Sequence, residues 1–363
     1  ETLLPQLIGS KLNFTQSEVD PCYLYKIYPD GTRMDITVYV DDILAIDDAG
    51  PLADADFAIL SAMFKFNIED EAKHFLNLNV KVLSETSIQL TMEAYLLKMA
   101  DDTVPDWRSW PMLDVPGTEM LQKDYDAAHA LRQSGQSSTA AQVASFRTKV
   151  GKLMYTMQGV RADAAYCISR LSRAQTFATP ALEKHADRAI VYLAQTASVG
   201  VIYDGAATDA GILSAESDSD WAVGHSTTGW LIFFAGAMVA FASKRQACIA
   251  GSSTEAEIIA ASACAHEVVY FKTLAKEMGM PQGVVQLSVD NSGAVELSRD
   301  RKSCHRSRHV DRRYFKVREL SYEGVLTVEH IDTADNTADI LTKALSQVPH
   351  LKHLRRMFNV QVD

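Results

Sequence analysis

The stretch WLIFFAGAMVAFAS, residues 230–243, decides the fold of the C-terminal half of the chain. Two apolar runs, Trp230–Phe234 and Met238–Ser243, flank Ala235-Gly236-Ala237, which predicts a β-hairpin with a short turn. The continuous apolar run is about 13 residues long, whereas a membrane-spanning helix needs roughly 20. We therefore expect two buried strands here and no membrane partner.

The sequence around this hairpin alternates between strand and helix patterns. Residues 198–345 predict the order β-β-β-α-β-α-α-β-α, with a long helix that begins near Ser253. The strands Val284–Val289 and Val325–Ile331 follow, and a closing helix is expected at Thr337–Ala344. This order predicts an α/β domain built on a mixed sheet.

The other segments differ in character. Residues 1–100 mix strands and helices in an α+β pattern, and residues 141–197 predict three helices. Residues 101–140 contain several prolines and a Ser/Gln/Gly run, which predicts an irregular, mobile linker. Residues 346–363 are expected to be a C-terminal tail.

The charge of the chain is distributed unevenly. The net charge of −11 opposes a nucleic-acid partner, but Arg299–Arg318 contains nine Lys or Arg against two acids. This segment could bind a polyanion, or it could be a solvated helix face. The five cysteines are scattered and form no CxxC pair, which favours free thiols in a reducing compartment.

Four acids lie at predicted strand ends and helix starts of residues 198–345: Asp218, Glu257, Asp290 and Asp339. Four carboxylates at one sheet edge could not all stay ionised without cations between them. Two Mg²⁺ ions would neutralise them and orient a water for attack on a phosphodiester. Spacing alone does not exclude ordinary surface acids, because the chain contains 46 acidic residues.

The short sequence blocks around those acids resemble a known family. The blocks keep their order over about 130 residues: Asp218-Ser219-Asp220-Trp221-Ala222, Ser226-Thr227-Thr228-Gly229-Trp230, Ser243-Lys244-Arg245-Gln246, Ser252-Ser253-Thr254-Glu255-Ala256-Glu257, Asp290-Asn291-Ser292-Gly293-Ala294, His305-Arg306-Ser307-Arg308-His309-Val310-Asp311 and Ala338-Asp339-Ile340-Leu341-Thr342-Lys343. Together they resemble the ribonuclease H of copia-type LTR retrotransposon Pol polyproteins.

This resemblance implies a function and a set of site residues. The expected activity is Mg²⁺-dependent endonucleolytic hydrolysis of RNA in RNA–DNA hybrids, with Mn²⁺ as an alternative ion. The implied catalytic and metal-binding residues are Asp218, Glu257, Asp290 and Asp339, which are preferred over the neighbouring acids Asp220 and Glu255. The implied nucleic-acid-binding residues are Lys244, Arg245, Arg306, Arg308, His309 and Arg312.

A second resemblance lies near the N-terminus. Tyr39-Val40-Asp41-Asp42 between two strand patterns is similar to the turn of a copia-type reverse transcriptase, so residues 1–100 are expected to be a partial palm. Residues 141–197 would then be the helical thumb or connection. The family usually has Gly at Asn77 and Pro at Ala162; Asn tolerates left-handed backbone, so the turn at Asn77 can survive.

The pair Asp41 and Asp42 is expected to be only half of a polymerase site. No Asp with an Ala-Phe partner precedes Tyr39, so polymerase activity from this chain alone is not expected. The resemblance further implies, as partners, the hybrid and upstream polyprotein segments (fingers and integrase). It places the protein in the cytoplasm, within a virus-like particle, and in the nucleus.

Two alternatives remain open from the sequence. The chain could be a decayed or co-opted relic of a retroelement that binds nucleic acid without catalysis, although all four predicted ligands are still acids. Cys304, His305 and His309 could also be read as zinc ligands, but no further ligands stand at suitable spacing.

Overall fold

The structure is a computed structural model of the 363-residue chain. It describes residues 3–9, 12–40, 42–63, 69, 72–136, 138–221, 224–299 and 311–361. The chain folds as two compact units. Unit 1 comprises Glu1–Val80 and Val269–Gly283, and unit 2 comprises Lys81–Val268 and Val284–Asp363.

The strands are β1 (Thr15–Gln16), β2 (Tyr23–Ile27), β3 (Arg33–Tyr39), β4 (Asp42–Asp47), β5 (His74–Phe75), β6 (Leu78–Val82), β7 (Ser87–Thr91), β8 (Val201–Asp204), β9 (Ser214–Asp220), β10 (Thr227–Phe234), β11 (Ala237–Arg245), β12 (Val285–Val289) and β13 (Leu326–His330).

The helices are α1 (Leu3–Ile8), α2 (Pro51–Met63), α3 (Glu93–Thr103), α4 (Met120–Gln133), α5 (Ala140–Gln158), α6 (Ala165–Ser172), α7 (Pro180–Gln195), α8 (Ser253–Glu277), α9 (Ser292–Arg299), α10 (Asp311–Tyr322) and α11 (Gln347–Phe358). Short 3₁₀ helices occur at Trp107–Ser109, Ala162–Ala164, Thr333–Asp335 and Thr337–Leu341.

Unit 1 is built on an antiparallel sheet in the order β1-β2-β3-β4. Apolar side chains from β2 and β3, including Leu24, Met34 and Ile36, form its core together with residues of α2. Strands β3 and β4 pair with Tyr39 opposite Asp42, so the predicted hairpin at this point is confirmed. Asn77 has φ of 62° between β5 and β6, so the left-handed turn expected there is present.

The main sheet of unit 2 has the strand order β11-β10-β9-β12-β13. Strand β10 pairs antiparallel with β9 and β11, while β12 pairs parallel with β9 and β13. Parallel neighbours need crossover helices, and α8 to α10 supply them. This arrangement confirms the predicted ribonuclease H-like fold with a mixed sheet.

Helix α8 covers this sheet with small and apolar residues. Ala256, Ala260, Cys264 and Ala265 are fully buried, which lets the helix approach the strands closely. Helix α8 is also long and apolar enough to cross a membrane by length and composition, a test that buried core helices pass as well.

The predicted linker is wrong for part of its length. Residues 120–133 form α4, which buries Leu121 and Ala128 and packs against α6 and α7. The prolines at 105, 111 and 116 all precede α4, so they lie in the segment that leads to this helix and do not interrupt it. The three helices expected in residues 141–197 are confirmed as α5, α6 and α7.

Three further expectations need correction. The closing helix expected at Thr337–Ala344 is a shorter 3₁₀ helix, Thr337–Leu341. Residues 346–363, expected as a tail, contain α11, whose Leu354, Met357 and Phe358 are buried. Strand β7 pairs with β8, and unit 2 begins at Lys81, so the boundary expected at residue 100 lies inside this unit.

A buried polar network joins α11 to the helical segment of residues 141–197. Arg161 and Asp163 form an ion pair with both side chains fully buried, and the Arg161 guanidinium also donates to the carbonyl of Thr196. The Tyr192 hydroxyl donates to Asp163 and lies 3.0 Å from Nε2 of His350. Burial lowers the pKa of His350 to about 4, so this imidazole is neutral at physiological pH.

Candidate active site

The four predicted acids lie on four elements that meet at one edge of the main sheet. Val289 pairs with Ser217 across parallel strands, so the next residues, Asp290 and Asp218, lie side by side. Asp339 comes from the 3₁₀ helix Thr337–Leu341, and Glu257 from the second turn of α8.

The carboxylates converge closely. One oxygen each from Asp218, Asp290 and Asp339 can be chosen so that all three lie within 4.8 Å of one another. Glu257 belongs to the same cluster, because the charges of Asp218, Asp290 and Asp339 all act on its carboxyl. Asp218, Glu257 and Asp339 are buried, whereas Asp290 is partly exposed and lies on the open side.

Each buried acid is oriented by a specific contact. The Thr342 hydroxyl donates to Asp218, and the backbone N–H of Ser219 donates to Oε1 of Glu257 over 3.1 Å. Nζ of Lys343 lies 2.8 Å from Oδ1 of Asp339. Oε2 of Glu257 is buried and has no hydrogen-bond partner among the described residues, which leaves it available to a cation.

Burial, together with the charges of neighbouring acids, raises the pKa values of Asp218, Glu257 and Asp339. Burial and then the charge of Asp339 raise the pKa of Asp218 to about 7. Burial and then the charges of Asp218 and Asp290 raise the pKa of Glu257 to about 9. Burial also raises the pKa of Asp339, against the opposing effect of Lys343. The cluster therefore holds protons unless positive charge enters it.

A divalent metal fits these residues. The donor atoms are carboxylate oxygens, which Mg²⁺ prefers, and their separation is short enough for shared ligands. Asp218, Asp290 and Asp339 would hold the ions, with Glu257 completing the set through its unpartnered oxygen. Asp220 and Glu255 do not belong to the converging group of Asp218, Asp290 and Asp339, and they accept the backbone N–H of Thr227 and of Gly251 respectively.

Gln246 holds residues next to the site in place, including Ala256 beside Glu257, a role that the sequence did not reveal. Its side chain is 3% exposed, and Nε2 lies within 3.1 Å of three acceptors, on Ser219, Thr228 and Ala256. These contacts join β9, β10 and the start of α8. In the sequence Gln246 appeared only as part of the block Ser243-Lys244-Arg245-Gln246, and nothing there indicated that its side chain is buried.

The 3₁₀ helix that carries Asp339 is fixed in a similar way. The N–H of Thr337 donates to Oε2 of Glu216 over 2.6 Å, and the Asn336 amide donates to the Ser217 carbonyl. A Cβ on Gly229 would come within 2.7 Å of Thr342 Cγ2 and 2.9 Å of the Ala338 carbonyl oxygen. Glycine is therefore required at position 229, directly opposite Asp218.

The predicted nucleic-acid-binding residues are only partly described. Lys244 and Arg245 are exposed at the end of β11. Arg312 lies in α10, with its side chain outside the description, and Arg306, Arg308 and His309 lie outside the described residues altogether. The alternative zinc ligands Cys304 and His305 also lie outside. Asp42 is exposed at the start of β4, whereas Asp41 is outside the description.

Known proteins resemble this chain over most of its length. It is 28% identical over 335 residues to the "Retrovirus-related Pol polyprotein from transposon TNT 1-94" of Nicotiana tabacum, a match that covers 90% of this chain. It is also 28% identical over 337 residues to the "Retrovirus-related Pol polyprotein from transposon RE2" of Arabidopsis thaliana, again over 90% of this chain. The resemblance to retrotransposon Pol polyproteins that the sequence blocks indicated is therefore confirmed.

The chain spans about a quarter of the length of those relatives, 24% of the first and 22% of the second. Among solved structures it is similar to LC11-RNase H1, isolated from compost, with 17% identity and a TM-score of 0.31. That similarity covers 36% of this chain and 93% of the other. No protein-family model matches the chain.

Proposed function

We propose that residues 198–345 hydrolyse the RNA strand of RNA–DNA hybrids, as the ribonuclease H part of a retrotransposon reverse transcriptase. The observation that carries this proposal is the convergence of Asp218, Asp290 and Asp339 within 4.8 Å, with the unpartnered oxygen of Glu257 beside them. A cluster of this kind has little structural value, because like charges at this distance repel one another.

The chemistry follows from this donor set. Two Mg²⁺ ions, or Mn²⁺ in their place, would supply Lewis acidity and lower the pKa of the attacking water. The chain's own residues bind and orient: Thr342 and Ser219 fix two carboxylates, and Lys343 keeps positive charge beside Asp339. Water attacks an internal RNA phosphodiester and leaves 5′-phosphate and 3′-hydroxyl ends.

The substrate and setting belong to the same proposal. A hybrid displays 2′-hydroxyls in a shallow minor groove, which distinguishes its RNA strand from DNA. Lys244 and Arg245 are exposed and could contact phosphates. We propose upstream fingers and integrase segments as polyprotein partners, and a virus-like particle in the cytoplasm, with access to the nucleus, as the location.

The test is a cleavage assay on a labelled hybrid with and without Mg²⁺. The unmodified chain should cut only with the metal, and Asp290→Asn should abolish cleavage while hybrid binding is kept or tightened, since a repelling charge is removed. Asp209→Asn is the matched control, because Asp209 is exposed and precedes β9.

Two outcomes would contradict the proposal. Unchanged cleavage in Asp290→Asn would remove this residue from the reaction. Hybrid binding without any cleavage by the unmodified chain would favour the other reading, a retroelement relic that binds nucleic acid without catalysis.

A further inference from the structure

Three arginines lie together beside the sheet that carries the acids. Arg170 belongs to α6, Arg173 directly follows that helix, and Arg245 ends β11. Helix α6 packs against β11 and against the 3₁₀ helix of Asp339. Burial, and then the positive charges of Arg170 and Arg245, lower the pKa of Arg173 to about 10, so the three groups are close enough to repel one another.

The positive charge of this arginine cluster is not neutralised within the described part of the chain. Arg170 is 8% exposed, and its Nε has no hydrogen-bond partner there. Nη1 of Arg173 is also buried and unpartnered, while Nη2 donates to the Ser169 hydroxyl over 3.3 Å. None of the ion pairs between described residues includes Arg170, Arg173 or Arg245.

The surroundings orient the arginines without matching their charge. The guanidinium of Arg170 lies 5.4 Å from the ring centre of Tyr125 and 5.7 Å from that of Tyr166. Asp220 is the carboxylate that acts on Arg173, but its Oδ1 already accepts the N–H of Thr227. The charge of Asp220 also acts on Arg170, so three cations face one anion and a net positive charge remains. Burying such a group is costly unless a further anion joins it.

We propose that Arg170, Arg173 and Arg245 bind a phosphate group of the nucleic-acid backbone, at a site separate from the four acids. Arginine donors form a planar fork that matches phosphate oxygens, and exposed Arg245 and half-buried Arg173 give the arginine cluster an open side. The inference rests on the proposed function and deepens it, since it gives the helical segment a part in holding the substrate.

The register of the sheet places this phosphate site along the substrate's path. Asp220, Thr227 and Arg245 form one cross-strand row, and Asp218, Gly229 and Ser243 form a row two residues away on the same face. Strand spacing and rise put Arg245 about 12 Å from Asp218 between Cα atoms. That distance is about three to four nucleotide steps along a duplex axis, so one hybrid can reach both places.

The experiment measures hybrid binding against salt for the whole chain in EDTA, with a fluorescently labelled RNA–DNA hybrid as the probe. The double variant Arg170→Gln, Arg173→Gln should lower the slope of log K against log salt by about 0.9 for each lost contact. That loss corresponds to roughly tenfold weaker binding for each contact at about 0.1 M salt.

The matched control is Arg356→Gln. The Arg356 guanidinium lies 4.4 Å from the ring centre of Phe233, at the opposite end of β10 from Thr227, so this substitution removes one positive charge, half of what the double variant removes, far from the arginine cluster. Its slope should equal that of the unmodified chain. With Mg²⁺ present, the double variant should show a raised KM with kcat unchanged, because no group near the acids is altered.

The thermal stability of the double variant separates binding from a structural role. Removing mutually repelling charges should leave the melting temperature unchanged or raise it. An unchanged salt slope with a lowered melting temperature would overturn the inference, since the arginines would then serve only packing. If the unmodified chain cuts hybrids but the variant keeps its slope, only this inference fails. If the unmodified chain neither binds nor cuts, the proposed function fails with it.

Discussion

Replacing Glu257 by glutamine should stabilise the metal-free chain while destroying its activity. Burial and neighbouring charges raise the pKa of the Glu257 carboxyl from 4.5 to about 9. At pH 7 the folded chain therefore keeps this group protonated, whereas the unfolded chain ionises it. Ionisation favours the unfolded state by about 1.4 kcal/mol for each pH unit above 4.5, or about 3 kcal/mol at pH 7.

Glutamine removes this preference because it cannot ionise in either state. Its carbonyl oxygen can still accept the N–H of Ser219, so the local contact is retained. The sign of the effect depends on pH: below about pH 4.5 both states are protonated and no difference remains, and the advantage of glutamine grows as the pH rises towards 9. We expect a gain of about 3 kcal/mol in the free energy of unfolding at pH 7.

The measurement is urea unfolding in EDTA at several pH values between 4.5 and 8, for the unmodified chain and for Glu257→Gln. Glu255→Gln is the matched control, because Glu255 is only half-buried on the same helix and accepts the Gly251 N–H. Added Mg²⁺ should stabilise the unmodified chain more than Glu257→Gln. A difference between the two chains that does not change with pH, or a less stable glutamine variant at pH 7, would refute the reasoning.

Three further predictions concern the support of the site and its substrate. Gly229→Ala should reduce the cleavage rate by roughly 100-fold, because the new methyl group displaces the 3₁₀ helix of Asp339. Gly151→Ala is the control and should leave the rate unchanged, because a Cβ at position 151 meets nothing within 4 Å. Equal rates in both variants would contradict this. Gln246→Ala should cost about 2–4 kcal/mol in urea unfolding, since it leaves buried acceptors unsatisfied, and a loss below 1 kcal/mol would be too small for that role. Neutralising Arg306, Arg308 and Arg312 of the basic segment Arg299–Arg318 should lower the slope of log K against log salt for hybrid binding by about 0.9 for each phosphate contact. A flat salt response in the unmodified chain would show that this segment does not bind nucleic acid.

The sequence predicted those features that depend on local pattern. Two apolar runs on either side of a short Ala-Gly-Ala turn located the hairpin of β10 and β11, and the acids at Asp218 and Asp290 were expected at strand ends that the structure brings together. Helix α4 was missed because its sequence is polar on most sides. It is held by tertiary packing of Leu121 and Ala128 more than by its own pattern.

The contacts that orient the site were beyond sequence reasoning for a different reason. Glu216 binds the N–H of Thr337, and Gln246 reaches three elements, but each partner is distant in the chain. No periodicity relates such residues, since their meeting depends on how the sheet and the 3₁₀ helix pack. The arginine cluster likewise depends on α6 lying beside β11.

The attachment of α11 limits where this chain can be divided. Its face of Leu354, Met357 and Phe358 is buried, and His350 closes a network that begins at Arg161, almost two hundred residues earlier. A protease that cut the chain after residue 345 would expose that apolar face and remove the contact between the Tyr192 hydroxyl and the His350 imidazole. Because α11 packs against β11 and against the 3₁₀ helix of Asp339, cleavage of the chain within residues 346–358 should disturb the sheet edge that carries the four acids.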